Sequence, residues 1–206
     1  MSEDGGVESD NRGHCTGTLQ TTGDFVMKRL ISILMIPVSL MLSACSSPTP
    51  NRDPVGKMFP TVTGTTLTDR SVTLPQAWSG TPVLLMVGYV QQTQFDLDRW
   101  TIGLVQVKFP CAIVEVPAIP GLVPSMISGT IDNGMRSGIP KEDWESVITL
   151  YGGAAKPVVA LTGNQNPRNG RIIMLDKTGK IIWFWDQGFS AKRLIELDTL
   201  ARTLAE

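Results

Sequence analysis

The stretch PVLLMVGYVQQTQFDLDRWTIGLVQVKFPCAIVEV, residues 82–116, decides the fold of this chain. Pro82–Val90 is a continuous apolar run whose length fits a central strand covered on both faces. Cys111–Val116 is a second apolar run. Between them, Thr93–Lys108 predicts a helix, with a repeat of side chains that we expect to face the core: Leu97, Trp100, Thr101, Leu104 and Val105. Strand, helix and strand predict a βαβ unit with a right-handed crossover.

The start of this helix carries a capping signal. Thr93 is followed three residues later by Asp96, which is the spacing of a capping box. We therefore expect the Thr93 side chain to cap the helix. Asp96, Asp98 and Arg99 are expected to point largely to water.

The remaining elements are shorter. Thr65–Leu74 predicts a hairpin or an edge strand with a turn near Asp69. Asp176 and Gly179 predict a tight turn between two strands. The other predicted elements are a helix over Leu122–Ile139, a strand over Val147–Tyr151, a helix (favoured over a strand) at Lys156–Thr162, the strands Arg171–Asp176 and Lys180–Asp186, and a last helix from Ser190 to Leu204.

Met27–Cys45, MKRLISILMIPVSLMLSAC, has the features of an export signal. Lys28 and Arg29 precede an apolar run, Leu30–Leu42, that is too short to span a bilayer core of about 30 Å. The run ends in Leu42-Ser43-Ala44-Cys45, which resembles the lipobox of bacterial lipoproteins. The resemblance implies cleavage before Cys45 and acylation of that cysteine. The alternative is an ordinary secretory signal with a chance cysteine.

This resemblance predicts the organisation of the chain. Residues 1–26 would be a non-native upstream extension and 27–44 the signal peptide. Residues 45–54 would form a Pro-rich tether, followed by one domain over 55–206. In lipoproteins Asp after the cysteine favours inner-membrane retention, and here Ser46 stands there. We therefore expect the periplasmic face of the outer membrane, with the inner membrane as the alternative.

Composition excludes several function classes for the processed chain. Of 18 basic residues three precede Cys45, and of 19 acidic residues five do, which leaves a net charge near +1 and no basic field for nucleic acid. The single histidine, His14, also lies upstream. Ser-His triads and the usual zinc sites are therefore excluded, and no metal or cofactor is expected. Cys111 is the one thiol left after acylation of Cys45.

The order of elements resembles the thioredoxin-like fold, an α/β three-layer sandwich. The resemblance rests on the GKMFP opening at Gly56–Pro60, the strand Pro82–Val90 and the hairpin RIIMLDKTGKIIWFWDQG at 171–188. It implies a mixed central sheet with a C-terminal β-hairpin and flanking helices. The chain is also similar to a family of mitochondrial ATP synthase assembly factors and their uncharacterised bacterial relatives.

The chain departs from this fold family where its redox members carry Cys-x-x-Cys. The corresponding turn is Gln91-Gln92-Thr93-Gln94, which has no sulfur to form a thiolate. Pro157 and Pro167 are both candidates for the family's proline before the hairpin. We therefore expect a non-catalytic module that binds protein through the turn and its neighbours: Gln91, Gln92, Thr93, Gln94 and Phe95.

Three other groups of side chains leave alternatives open. Cys111 could serve a one-cysteine thiol oxidoreductase or peroxidase, although a small buried side chain is expected. Trp183 and Trp185 are expected on the face opposite Ile182 and Phe184, either under a helix or as an exposed patch. A Met126–Met135 stripe could line the pocket of a small-ligand carrier. The charged residues around this segment could also supply paired carboxylates for a glycosidase, and they are Asp132, Arg136, Glu142, Asp143 and Glu145.

Overall fold

The structure is a computed structural model that describes residues 48–121 and 125–205. The predicted extension over 1–26, the signal peptide, the lipobox and Cys45 lie outside the described residues. So do Leu122–Pro124 at the start of the predicted Leu122–Ile139 helix.

The core of the domain is one mixed sheet of seven strands in the order β2-β1-β5-β4-β3-β6-β7. In the centre β3 and β4 are parallel, and β4 is also parallel to β5. The outer pairs are antiparallel. The strands are β1 (Val62–Thr66), β2 (Ser71–Leu74), β3 (Val83–Gly88), β4 (Ala112–Ile119), β5 (Ile148–Tyr151), β6 (Arg171–Leu175) and β7 (Ile181–Trp185).

Helices cover the two faces of this sheet. They are α1 (Gln94–Gln106), α2 (Ser125–Gly138), α3 (Lys156–Thr162) and α4 (Ala191–Ala205). Side chains of α3 pack into the core on one face, and those of α1 and α4 pack into the core on the other. The predicted βαβ unit and C-terminal hairpin are confirmed, and the ambiguous segment Lys156–Thr162 is a helix ending at Gly163, with φ +75°. The N-terminal hairpin begins earlier than predicted, at Val62.

The buried face of α1 differs from the predicted stripe. Leu97, Trp100 and Leu104 are buried as expected. Thr101 and Val105 are exposed, and Gly103 is buried in their place. The reason is a second helix, since a Cβ on Gly103 would lie 2.6 Å from the Leu194 Cδ2 of α4. One side of α1 therefore packs against α4 and another against the sheet. The hydrophobic repeat of α1 alone could not predict the contact with α4.

The tryptophans of β7 lie under a helix rather than forming an open patch. Trp183 and Trp185 pack on the core shared by α1 and α4, and Phe184 packs on the opposite core. Ile182 was expected beside Phe184 but packs with the tryptophans. The cause is a register irregularity, because Leu175 pairs with Ile181 while the preceding residue of β6, Met174, pairs with Trp183.

Among the described residues, no helix has both the length and the hydropathy needed to cross a membrane.

Candidate functional site

The turn after β3 lies at the carboxyl end of the parallel strands, where α/β sheets commonly bind ligands. Gln91–Thr93 forms a single 3-10 turn that leads directly into α1. The side chains of Gln91, Gln92, Gln94 and Phe95 are exposed, whereas Thr93 is buried. Phe95 is 74% exposed and the preceding Val90 is 38% exposed. The turn therefore presents amides and apolar groups, and it carries no nucleophile.

Thr93 does not cap α1 as the sequence predicted. Its hydroxyl donates to the Pro167 carbonyl at 2.7 Å and accepts from the Val90 amide at 3.3 Å. No side-chain hydrogen bond caps the first turn of the helix. The buried hydroxyl instead joins the turn to the loop 164–170 before β6.

Asp96 was expected to face water, and it is instead a bridge between two loops. Its carboxylate accepts from the Gly170 amide at 2.8 Å and from the Phe189 amide at 2.6 Å. These amides precede β6 and α4, respectively. Hydrogen bonds to a charged acceptor are among the stronger ones in proteins. Asp96 therefore positions both loops against the start of α1.

Arg171, at the start of β6, is completely buried beneath this end of the sheet. Its Nη1 donates to the carbonyls of Asn166 and Asn169 at 2.7 and 2.6 Å, and Nη2 donates to the Asn51 side chain at 3.1 Å. The guanidinium also lies 5.0 Å from the centre of the Tyr89 ring. Among the described residues, its Nε has no hydrogen-bond partner. Nothing in the sequence pattern marks this arginine as a buried one.

The segment Thr49–Arg52, which belongs to the predicted tether, is hydrogen-bonded to the domain. Thr49 and Asn164 exchange two hydrogen bonds of 2.7 and 2.9 Å. The Arg52 amide donates to the Thr162 carbonyl at 3.0 Å. Asn51 accepts from the Gln165 amide at 2.8 Å and donates to Asp186 at 2.7 Å. We call these four residues the docked segment.

Glu115 on β4 is a half-buried acid outside the residues predicted for the site. It is only partly exposed and lies beside Gln94 and Asp98 of α1. Burial raises the pKa of its carboxyl to about 7, the neighbouring Gln94 lowers it in part, and the charge of Asp98 raises it further. The signal for it was a charged residue inside an apolar strand.

Cys111 lies far from the turn along the sheet. It precedes the amino end of β4, whereas the turn follows the carboxyl end of the parallel strand β3. The thiol is half-buried beside α4, with its sulfur 4.0 Å from the Ala201 carbonyl. Burial raises its pKa, so the geometry favours a thiol over a reactive thiolate.

Of the predicted charged set, Arg136 and Glu145 both contact the β1–β2 turn over 67–70, whereas Asp132 contacts Tyr151 of β5. Asp132 accepts from the Tyr151 hydroxyl at 2.7 Å, and Arg136 donates to the Leu67 carbonyl at 2.7 Å. Glu145 pairs with Arg70 at the surface. Glu142 and Asp143 are exposed.

Two grooves lie near the turn end of the sheet. One has a volume of about 480 Å³ and runs along β7, and one of about 380 Å³ lies in the loop 165–169. Neither is lined by Met135, and the Met126 side chain lies outside the described residues. Within 48–121 and 125–205 no cluster of three or more His, Cys, Asp or Glu residues could hold a metal ion.

Solved structures share this architecture. A candidate protein disulfide isomerase from Bacteroides thetaiotaomicron matches with a TM-score of 0.53 at 16% identity, over 77% of this chain and 94% of that one. BsSco, a member of the Sco family of cytochrome c oxidase assembly proteins, matches with a TM-score of 0.52 at 11% identity, over 75% of this chain and 98% of that one. A SCO1/SenC family lipoprotein from Bacillus anthracis matches with a TM-score of 0.51 at 13% identity, over 76% of this chain and 100% of that one. No protein-family model and no curated protein sequence matches the chain.

These similarities confirm the fold class that the sequence predicted, an α/β thioredoxin-like fold, and at such identities they establish the fold alone. Both candidates for the proline before the hairpin, Pro157 and Pro167, follow trans peptide bonds, since Leu74–Pro75 is the cis peptide bond of the described chain.

Asp96→Ala should loosen both loops that the carboxylate holds. We expect the free energy of unfolding to fall by about 2–4 kcal/mol, because two amides lose a charged acceptor. Urea denaturation measures the loss, and hydrogen exchange should accelerate at the Gly170 and Phe189 amides. The matched control is Asp98→Ala on the exposed side of α1, which should cost less than about 0.5 kcal/mol. Equal losses, or unchanged exchange at both amides, would contradict the assignment.

Glu115→Gln should change how stability depends on pH. In the folded protein this carboxyl has a pKa of about 7, against an ordinary value of 4.5, so it keeps its proton to a higher pH. Between these values the folded state binds more protons than the unfolded state, so stability falls as pH rises through this window. The wild type should therefore lose up to about 3 kcal/mol relative to Glu115→Gln. Unfolding curves across that range measure the difference. With exposed Glu142→Gln as control, parallel curves for all three proteins would refute the prediction.

Proposed function

We propose that this protein is a lipoprotein of the periplasmic face of the outer membrane, whose thioredoxin-like domain binds protein and has no redox chemistry. The observation that carries the proposal is the exposed turn after β3, which holds glutamines and a phenylalanine where redox members of the fold hold cysteines. A protein-binding or envelope-assembly role uses the exposed surface without needing a reactive group.

The anchor is supported by the sequence from Met27 to Cys45. A basic start, an apolar run and Leu42-Ser43-Ala44-Cys45 occur in the order that lipoprotein export requires. A SCO1/SenC family lipoprotein from Bacillus anthracis shares the fold. One acyl chain binds a bilayer marginally, at about 0.8 kcal/mol per buried methylene, so stable anchoring takes two or more chains.

The binding surface is supported by the contrast between the outer and inner sides of the turn. Outward, Gln91, Gln92 and Phe95 are exposed. Inward, Thr93 and Asp96 tie the turn to two loops. A partner would therefore meet a preorganised surface, which lowers the entropy cost of binding.

Cys45→Ala should release the protein from membranes. The change removes the sulfur that receives the diacylglycerol group, whereas Cys111→Ala keeps the anchor and should remain with membranes. Fractionation of cells and the intact mass of the purified proteins measure both results. Sedimentation of Cys45→Ala with membranes, or a wild-type mass without acyl chains, would contradict the anchor.

Crosslinking tests the binding surface. A photoreactive residue in place of Gln92 should give a defined protein adduct in intact cells. The matched control is exposed Thr178, in the β6–β7 turn at the opposite end of the sheet, where no such adduct is expected. Equal adducts at both positions would contradict binding through the turn, and disulfide reductase or peroxidase turnover by the protein would contradict the absence of redox chemistry.

A further inference from the structure

The docked segment fixes where the chain leaves the domain toward Cys45. From this geometry we infer that the anchor holds the turn end of the sheet against the bilayer, so that the surface formed by Val90–Phe95 meets the lipid headgroup layer. The inference rests on the proposed acylation of Cys45. It adds the orientation of the domain, which brings the exposed turn to the headgroup layer.

The first step is the reach of the chain between the lipid and the domain. The docked segment begins at Thr49, so only Ser46, Ser47 and Pro48 separate Cys45 from the first docked residue. Four Cα–Cα steps span at most about 14 Å even when fully extended. The headgroup layer on one side of a bilayer takes about 5–7 Å of that length. The surface of the domain near Thr49 therefore has to lie at or close to the membrane.

The second step is the place where the chain leaves the domain. Thr49 pairs with Asn164, the first residue of the loop 164–170. Three residues later the Pro167 carbonyl accepts the Thr93 hydroxyl at 2.7 Å. The point where the chain leaves the domain and the turn after β3 thus contact the same loop. An anchor near Thr49 brings this end of the sheet to the membrane rather than the opposite end.

The third step is the strength of the docking. The Asn51 side chain contacts the Gln165 amide, Asp186 and the buried Arg171. At Gly163 a Cβ would overlap the Pro50 backbone, so the two chains are in close contact. Release of the segment would leave the Arg171 guanidinium without one of its acceptors, and an unsatisfied buried charge is costly. The short reach is therefore maintained by the fold.

The fourth step is the chemistry of the surface. Val90–Phe95 contains no charged residue. Phe95 is 74% exposed and Val90 is 38% exposed, and the side chains between them include three exposed glutamines. Apolar and amide groups enter a headgroup layer without the cost of desolvating an ion. Aromatic and aliphatic side chains on a polar surface are a common means of interfacial contact.

The opposite end of the sheet provides an internal reference. Val83 of β3 pairs with Leu175 of β6, so the β6–β7 turn containing Thr178 lies at the amino end of β3. Six residues of strand separate the two ends by on the order of 20 Å. In the inferred orientation Thr178 therefore faces away from the membrane. A protein partner reached through the turn would have to lie in or on the same bilayer.

The experiment measures the depth of two labels on the acylated protein. Cys111→Ser is the background, and either Phe95→Cys or Thr178→Cys carries a fluorophore after purification from membranes. The proteins are placed in phosphatidylethanolamine–phosphatidylglycerol vesicles that contain lipids with nitroxide-labelled headgroups. We expect several-fold stronger quenching at position 95 than at position 178.

A longer connection tests the cause of this difference. Eight Gly/Ser residues inserted between Ser47 and Pro48 leave every contact of the docked segment in place and extend the reach to about 40 Å. The difference between the two labels should then largely disappear. Urea denaturation should show unchanged stability, which separates the effect of reach from any loss of folding.

The outcomes distinguish this inference from the proposed function. An acylated protein whose two labels are quenched equally would overturn the orientation and leave the lipoprotein assignment intact. Quenching at position 95 that survives the insertion would overturn the role of the docked segment. A purified protein without acyl mass on Cys45 would overturn the anchor and the orientation with it.

Discussion

The turn end of the domain depends on satisfying one buried positive charge. The guanidinium of Arg171 has no exposure to solvent, and such a charge is costly unless most of its donors find acceptors, as both of its Nη atoms do. Its acceptors come from the loop before β6 and from Asn51, and the ring of Tyr89 lies against its face. One side chain therefore holds together the end of a central strand, a polar loop and the segment that leads toward Cys45. Burial lowers the pKa of Arg171, and the neighbouring Tyr89 and Asp186 oppose that shift.

The turn after β3 shows how a position used for chemistry in redox proteins of this fold can serve the structure of the domain instead. The Thr93 hydroxyl donates to a loop carbonyl, and the Asp96 carboxylate accepts from two loop amides. These bonds order the inner side of the turn, which leaves its outer side exposed and uncharged. The docked segment and the turn belong to one arrangement, because both contact the loop 164–170.

Sequence patterns were reliable where one interaction dominates the choice of structure. The apolar runs at β3 and β4 and the helical repeat between them predicted the central βαβ unit, since burial of long apolar segments decides such elements. The patterns failed where a residue has two neighbours to satisfy. The helical repeat predicted Thr101 and Val105 in the core because it carries no information about α4, which packs at Gly103. Ile182 was placed on the wrong face because a bulge, invisible in the alternation, shifts the register of β7.

By itself, the sequence determined the α/β class, the order of strands and helices, the lack of sulfur in the turn and the lack of histidine after Cys45. These properties follow from local periodicity and from the inventory of reactive groups, both of which can be counted along the chain. Only the tertiary structure decided that Asp96 bridges two loops, that Glu115 lies beside α1 with a raised pKa, and that Arg171 is buried against Asn51. The physical reason is that a polar side chain is buried or exposed according to the partners it meets, and those partners lie up to 120 residues away in the chain.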